Sequence, residues 1–365
     1  MKIGIITYHR SNNVGALLQN YALQQVLNSC EFKTETIDYQ CKYIEQNNRI
    51  LFGKNLKTNI KKLLEFNVLI KREKKFQNFR KKYLEISSKR YNNSNIQICN
   101  NDYDVFISGS DQVWNMNLNG ADYNYLLEFV EDDTKKISYA ASFGYTSIPK
   151  EFEEKTISLL KRFKFITVRE EQSKKLLNEY NINSEVVLDP TLLLEEQKWN
   201  SIIKNKKITK KFVFMYMVAY TPKLLDEAKK YAEKHNYDIY CMHYNYKNFK
   251  NVKNLRNTSP DEFLYYIKNA EYIYCSSFHA VCFSIIFKKN FVAALDPNKN
   301  NNNSRLITLL NNLELSNRVL VNNGQKFEKI DYEKVYLKLD NLKNISLKSI
   351  ELNLKNILYK GEINE

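Results

Sequence analysis

Short β-rich runs, most of them separated by a stretch with helical spacing of its apolar residues, recur from residue 2 to residue 295. In the first half the runs are KIGIIT (2–7), TETIDY (34–39), YDVFISG (103–109), KISYAAS (136–142), FITVRE (165–170) and SEVVLD (184–189). In the second half they are KFVFMYMVAY (211–220), YDIYCM (237–242), EYIYCS (271–276) and NFVAAL (290–295). Several are uninterrupted, as strands covered on both faces must be. Alternation with helical stretches such as VGALLQNYALQQVL, EEQSKKLLNEY and SPDEFLYYIKNA requires parallel sheets joined by crossovers. The predicted fold class is therefore α/β, with two Rossmann-like domains whose parallel sheets face a cleft. A chain of 365 residues also exceeds what one core usually serves.

The expected division is 1–190, 191–325 and a C-terminal set of helices over 326–365 packing back on the domains, with the first boundary at Asp189-Pro190. The stretch LDPNKNNNNSRL (295–306) reads as a long, mobile Asn-rich loop. With 8 Gly and 5 Pro the chain is neither collagen-like nor low in complexity. No apolar run approaches the roughly 18 residues a membrane helix needs. The start, MKIGIITYHR, turns polar too early for a secretory signal, so a cytoplasmic protein is expected. The six cysteines form no C-x-x-C pair, and Cys275 and Cys282 lie in apolar surroundings. Neither disulfides nor a zinc site is expected, and no metal or cofactor.

The net charge of +15 is concentrated: between Lys54 and Arg90 there are 13 Lys/Arg against 3 Glu. That segment, a basic insertion over 54–90 in the N-terminal domain, has apolar residues at helical spacing with cations between them. One reading is a solvated helical face. The other is a surface attracted to anionic lipid at the inner face of the membrane, or to a phosphorylated acceptor. No helix-turn-helix, zinc-finger or RNP pattern supports nucleic-acid binding.

In open α/β sheets ligands bind beyond the carboxyl ends of the strands. Those ends read TYHRSNNVGALLQ, SGSDQVWN, SYAASFG, TVREEQ and CSSFHA. The last is a polar island inside YIYCSSFHAVCFSIIF (272–287) and holds one of only 4 histidines. EYIYC is the strand and FHAVCFSIIF a buried helix that Ser276 or Ser277 can cap. Free N–H groups and the helix dipole at such a turn make an anion site, and His279 in the first turn reaches the same space. The competing reading of His279 is a satisfied core histidine. The single glycine of NNVGALLQ excludes a dinucleotide fingerprint.

The segments NVGALLQNYALQ, DVFISGSDQVWN, SYAASFG, TVREEQSKKLL, LDPTLLL and SPDEFLYYIKNAEYIYCSSFHA, with SSFHAVCFSIIFKKNFVAAL and NSRLITLL, resemble the polysaccharide pyruvyl transferase family. The resemblance runs in order from about Lys2 to Leu310 and leaves the basic insertion and the C-terminal helices uncovered. It implies a fold similar to the B-type glycosyltransferases. It also implies transfer of a pyruvyl group from phosphoenolpyruvate, as co-substrate, to sugar hydroxyls of surface polysaccharides as a ketal. The chain departs from the Thr-Asp-Ser-Phe-His-Gly of similar members, reading Cys275-Ser276-Ser277-Phe278-His279-Ala280.

Ketal formation needs a proton delivered to the donor's methylene carbon and one removed from a sugar hydroxyl. His279 suits one role and Asp111 the other, unless Asp111 holds sugar hydroxyls or caps a turn. The donor carries a carboxylate and a phosphate, for which Arg169 offers a bidentate fork and Ser276 and Ser277 a turn. An ion pair of Arg169 with Glu170 or Glu171 is the alternative. On the acceptor side stand Asn13, Trp114, Asn115 and Ser142, with Trp114 packing against a sugar ring; Gly144 allows close approach. The acceptor is a sugar, a nucleotide sugar or a lipid-linked oligosaccharide. Two other classes remain open: a nucleotide-sugar glycosyltransferase of the same fold, and a catalytically weak binding or assembly protein of the pathway.

Overall fold

The computed structural model describes residues 1–48, 60, 63–218, 220–243, 248–296 and 303–361. The loop expected over 295–306 and the insertion over 54–90 fall partly outside these residues. Two compact units are formed: Met1–Asn48, Arg80–Leu194 and Leu339–Glu365 make the first, and Arg49–Phe79 with Glu195–Lys338 the second.

The first unit holds a parallel sheet of strands β1 (Lys2–Ile6), β2 (Lys33–Tyr39), β3 (Ile86–Tyr91), β4 (Val105–Asp111), β5 (Lys136–Ala141), β6 (Thr167–Val168) and β7 (Glu185–Val186). Their order is β3-β2-β1-β4-β5-β6-β7. The second unit holds β8 (Phe212–Met217), β9 (Asp238–His243), β10 (Lys253–Leu255), β11 (Tyr272–Cys275) and β12 (Phe291–Ala293), ordered β10-β9-β8-β11-β12. Each sheet runs outward in one direction from its first strand and then restarts on the other side. This is the doubly wound pattern, with switch points between β1 and β4 and between β8 and β11.

The central strands are buried along their length, as their largely apolar sequence requires: every residue of β4, β5, β8 and β11 is buried. The edge strands β3 (ISSKRY) and β10 (KNL) are polar and were not readable as strands. Part of the segment expected to be a basic helix up to residue 90 is therefore strand. The helix itself, α2, spans Phe66–Tyr83, after α1 at Val14–Ser29. Further helices are α3 (Lys150–Leu160), α4 (Glu171–Glu179), α5 (Pro222–His235), α6 (Pro260–Asn269), α7 (Phe278–Ile286), α8 (Ser304–Asn312) and α9 (Tyr332–Gly361).

Two side-chain arrangements fix these pieces. Within the second unit, buried Glu262 of α6 accepts from the Nζ of Lys75 in α2 at 2.6 Å and of Lys206 at 2.5 Å, and from Ser259 N at 3.2 Å. Burial alone would raise its pKa, but the lysines and the Ser259 amide hold it down at about 2. Within the first unit, the part of α9 beyond Leu339 closes the sheet edge: Leu188 N donates to Ser346 Oγ at 3.0 Å and Ser349 Oγ to Glu185 Oε2 at 2.6 Å.

Candidate functional site

The carboxyl ends of β4 to β7 form one polar network. Arg169, just past β6, donates from Nη1 to Asp189 Oδ2 at 2.7 Å and from Nη2 to Asp111 Oδ1 at 3.1 Å. The side chains of Arg169 and Asp189 are 1% and 0% exposed, and that of Asp111 12%. Burial pulls the guanidinium pKa down, yet Asp189 and Asp111 more than offset it, so the group is held more firmly protonated than usual. Glu170 acts on Arg169 only after the two aspartates, through its charge, while its Oε1 accepts from Ser142 Oγ at 2.8 Å and from Ser173 Oγ. Asp189 also accepts from Thr191 N and Oγ1, and from Ser110 Oγ. Asp111 has a left-handed φ of 78°, a conformation Asp tolerates better than most residues. It raises the pKa of buried Tyr8 further, after burial itself, and so keeps that phenol protonated, donating to Gln112 O at 2.9 Å.

Beside this lies a cluster the sequence reading missed. His9 places Nδ1 at 3.2 Å from Thr7 O and Nε2 at 3.2 Å from Asp38 Oδ1. Arg10 and Arg90 also donate to Asp38. Burial would raise the Asp38 pKa, but His9 and the two arginines drive it well below the carboxylate range. The signal available was only the His-Arg pair at the end of β1.

Several expected acceptor contacts take structural roles. Trp114 is 0% exposed, packs against Phe143 and Phe163 and donates from Nε1 to Ser108 Oγ at 3.0 Å, so it offers no face to a sugar ring. An apolar ring flanked by Val113 and Met116 joined the core, which sequence spacing alone does not separate from a surface position. Asn13 caps α1, accepting from Gly15 N at 2.9 Å and Ala16 N at 3.3 Å, and Asn115 accepts from Asn117 N at 3.1 Å. Ser142 is fully buried. Gly144 has φ +68°, and a Cβ there would meet the Gln112 amide, so the close approach expected of it is internal.

In the second unit the turn after β11 has the form expected. Ser277 is the N-cap of α7, its side chain accepting from Ala280 N at 3.4 Å. Ser276, half-buried, accepts from Val218 N at 3.1 Å and so ties the end of β8 to the end of β11 across the switch point. His279 occupies the second position of α7, 8% exposed, its ring 5.3 Å from that of Phe278 and nearly perpendicular to it. Buried Cys275 has its thiol pushed up to about 12 by burial, which removes it as a nucleophile at neutral pH. Ala280, where similar sequences carry glycine, is 0% exposed and its carbonyl accepts from Ser284 Oγ.

A cation absent from the sequence reading completes this turn. The guanidinium of Arg305, in the first turn of α8, lies over the Phe278 ring at 5.9 Å from its centre. Within this unit, therefore, a planar cation stands one residue from His279. Among the described residues no group of three or more His, Cys, Asp or Glu is placed to hold a metal ion.

The sequence profile of the polysaccharide pyruvyl transferases matches residues 13–298. Among curated proteins none matches. Of solved structures, a UDP-N-acetylglucosamine 2-epimerase from Rickettsia bellii aligns with a TM-score of 0.53 at 10% identity, over 98% of this chain and 97% of that one. The UDP-GlcNAc 2-epimerase from Neisseria meningitidis, bound to UDP-GlcNAc, aligns with a TM-score of 0.50 at 10% identity, over 97% and 100%. At such identity the likeness shows the fold alone, the pair of Rossmann-like sheets of the B-type glycosyltransferases.

Proposed function

Because the chain belongs to the polysaccharide pyruvyl transferase family, and is thus a transferase, we propose that it moves a pyruvyl group from phosphoenolpyruvate to a sugar acceptor. The observation that carries the donor assignment is the turn after β11: a capped helix start, with His279 in its first turn and Arg305 over Phe278. Helix N-termini favour phosphate, and a guanidinium matches either phosphate or carboxylate as a fork. Protonation of the donor's methylene carbon by His279 makes the adjacent carbon electrophilic. A sugar hydroxyl adds there with loss of its proton, phosphate leaves, and a second hydroxyl closes the ketal with loss of another. Of the two protons lost, one balances the new methyl group and one leaves with phosphate. Arg305 takes over the donor-gripping role first expected of Arg169, whose two terminal nitrogens already hold Asp189 and Asp111. Phosphate release that depends on phosphoenolpyruvate and a glycan acceptor, with the ketal identified by mass spectrometry, tests this. Turnover with nucleotide sugars and none with phosphoenolpyruvate would replace it with the glycosyltransferase reading.

The acceptor partner we propose to be membrane-linked. Ile60, Leu63 and Leu64 are 54%, 67% and 74% exposed, and exposed Asn67, Lys71, Lys74 and Asn78 continue at helical spacing. Apolar tips beside a polar stripe that carries Lys71 and Lys74 suit an anionic bilayer surface. Co-sedimentation should favour phosphatidylserine vesicles over neutral ones and weaken with salt; equal binding to both removes the idea.

A further inference from the structure

At the switch point of the second sheet, just past the end of β8, two apolar side chains are exposed to solvent. Val218 is 58% exposed and Tyr220 54%. Soluble proteins tolerate single exposed apolar residues, but a rigid exposed aromatic at the ligand-binding end of a strand is a different matter. The Tyr220 ring is stacked on that of Phe249, with centres 5.5 Å apart and planes 19° from parallel. Phe249 in turn lies 4.5 Å from the ring of His243, which is 0% exposed.

The support beneath this stack is built from hydrogen bonds. Asn254 Oδ1 accepts from Phe249 N at 2.8 Å and from His243 Nε2 at 2.7 Å, while its amide donates to Phe249 O at 2.9 Å and Val252 O at 3.0 Å. Three rings therefore run from the unit's core to its surface, ending in Tyr220. A residue held only for packing would not need its backing pinned so completely. Polar groups flank the outer end: Ser276 accepts from the neighbouring Val218 amide, and the Tyr220 hydroxyl is at the tip.

We propose that Tyr220, backed by Phe249 and His243, is a carbohydrate subsite on which one pyranose ring of the acceptor glycan lies with its C–H face on the aromatic ring. The proposal rests on the pyruvyl transfer reading for the identity of the acceptor as a sugar. An aromatic surface of one ring's width suits a ring-sized occupant. The same surface would also stack a nucleobase, so that alternative is an outcome of the test.

Ligand-observed NMR with methyl β-glucopyranoside, methyl β-galactopyranoside, N-acetylglucosamine and uridine decides it, using the full chain. Pyranoside saturation transfer should be strong with the parent protein and with Tyr220→Phe. It should fall roughly three- to tenfold in affinity with Tyr220→Ala, the range for loss of one aromatic contact. Phosphoenolpyruvate binding, followed by thermal shift on the same proteins, should be unchanged in both variants. Equal pyranoside binding to parent and Tyr220→Ala, preference for uridine, or no binding of any probe would each overturn the subsite. Absence of phosphoenolpyruvate binding to the parent protein would instead sink the pyruvyl transfer reading while leaving a measured pyranoside contact in place.

Discussion

The two sheets share the order of their first five strands but finish their carboxyl ends differently. At the end of the first sheet, polar side chains bind one another: Arg169 binds Asp111 and Asp189, Ser142 and Ser173 bind Glu170, and His9, Arg10 and Arg90 bind Asp38. At the end of the second, Val218 and Tyr220 stand in solvent and Ser276 and His279 line a helix start. Position at the end of a strand is thus permissive rather than sufficient for ligand binding. A charged residue there that has found a buried counter-charge is first of all a fastening.

The sharpest way to break this contrast is His279→Ala. A positioned acid or base contributes about 10²–10⁴-fold, so turnover should fall in that range while the melting temperature holds. A drop in melting temperature with normal activity in the surviving protein would make His279 a core residue and erase the difference between the two ends.

Next comes Arg169→Ala. Removing it leaves Asp111 and Asp189 facing each other without their shared cation, which for a buried pair costs about 3–5 kcal/mol. Urea unfolding should register this loss. An Arg169→Ala protein of normal stability with a raised KM for phosphoenolpyruvate would restore the donor-binding role.

Arg305→Ala should do the reverse, leaving stability nearly unchanged and raising the KM for phosphoenolpyruvate. A charge-assisted hydrogen bond is worth about 1.5–3 kcal/mol, so an increase of roughly ten- to hundredfold is expected. An unchanged KM would leave the helix start as the sole anion-binding element.

The smallest effect is on acid stability. Glu262 titrates at about 2 in the fold, against about 4.3 in an unfolded chain. Its folded pKa is depressed, so its contribution is complete above about pH 5 and fades as pH falls toward 2. Glu262→Gln should cost about 2 kcal/mol at pH 7, less than a fully enclosed pair because its lysines keep partial solvation. It should cost almost nothing near pH 2. Equal losses at both pH values would show that packing, and not charge, makes the contribution.

The sequence made the sheets legible where strands are covered on both faces, as with KIGII and FVFMYM, because burial forces uninterrupted apolar residues. It concealed β3 and β10, edge strands with polar sequences and few neighbours. The serine island of CSSFHA was legible too, since capping is a local property of the turn. Trp114 and Arg169 were misread for the opposite reason. Whether an indole lies in the core, or a guanidinium meets Asp189 rather than Glu170, depends on partners 20 or more residues away. Arg305 and the Tyr220–Phe249 stack were hidden likewise, their partners being 27 and 29 residues distant.

The return of α9 to the edge of the first sheet has a consequence for how the protein is made. Ser346 and Ser349, which bond Leu188 and Glu185, leave the ribosome only after the whole stretch Glu195–Lys338. At bacterial-to-eukaryotic elongation speeds of about 5–20 residues per second, the first unit waits on the order of ten to thirty seconds for its last edge to be supplied. By the time Lys338 has been added, β7 still lacks its final helix, while the Glu195–Lys338 stretch of the second unit has been synthesised in full. Birth order and completion order are inverted. Released chains truncated after Lys338 should therefore be cut by protease within the first unit and resist it in the second, and equal resistance of both would show that the sheet closes without its final helix.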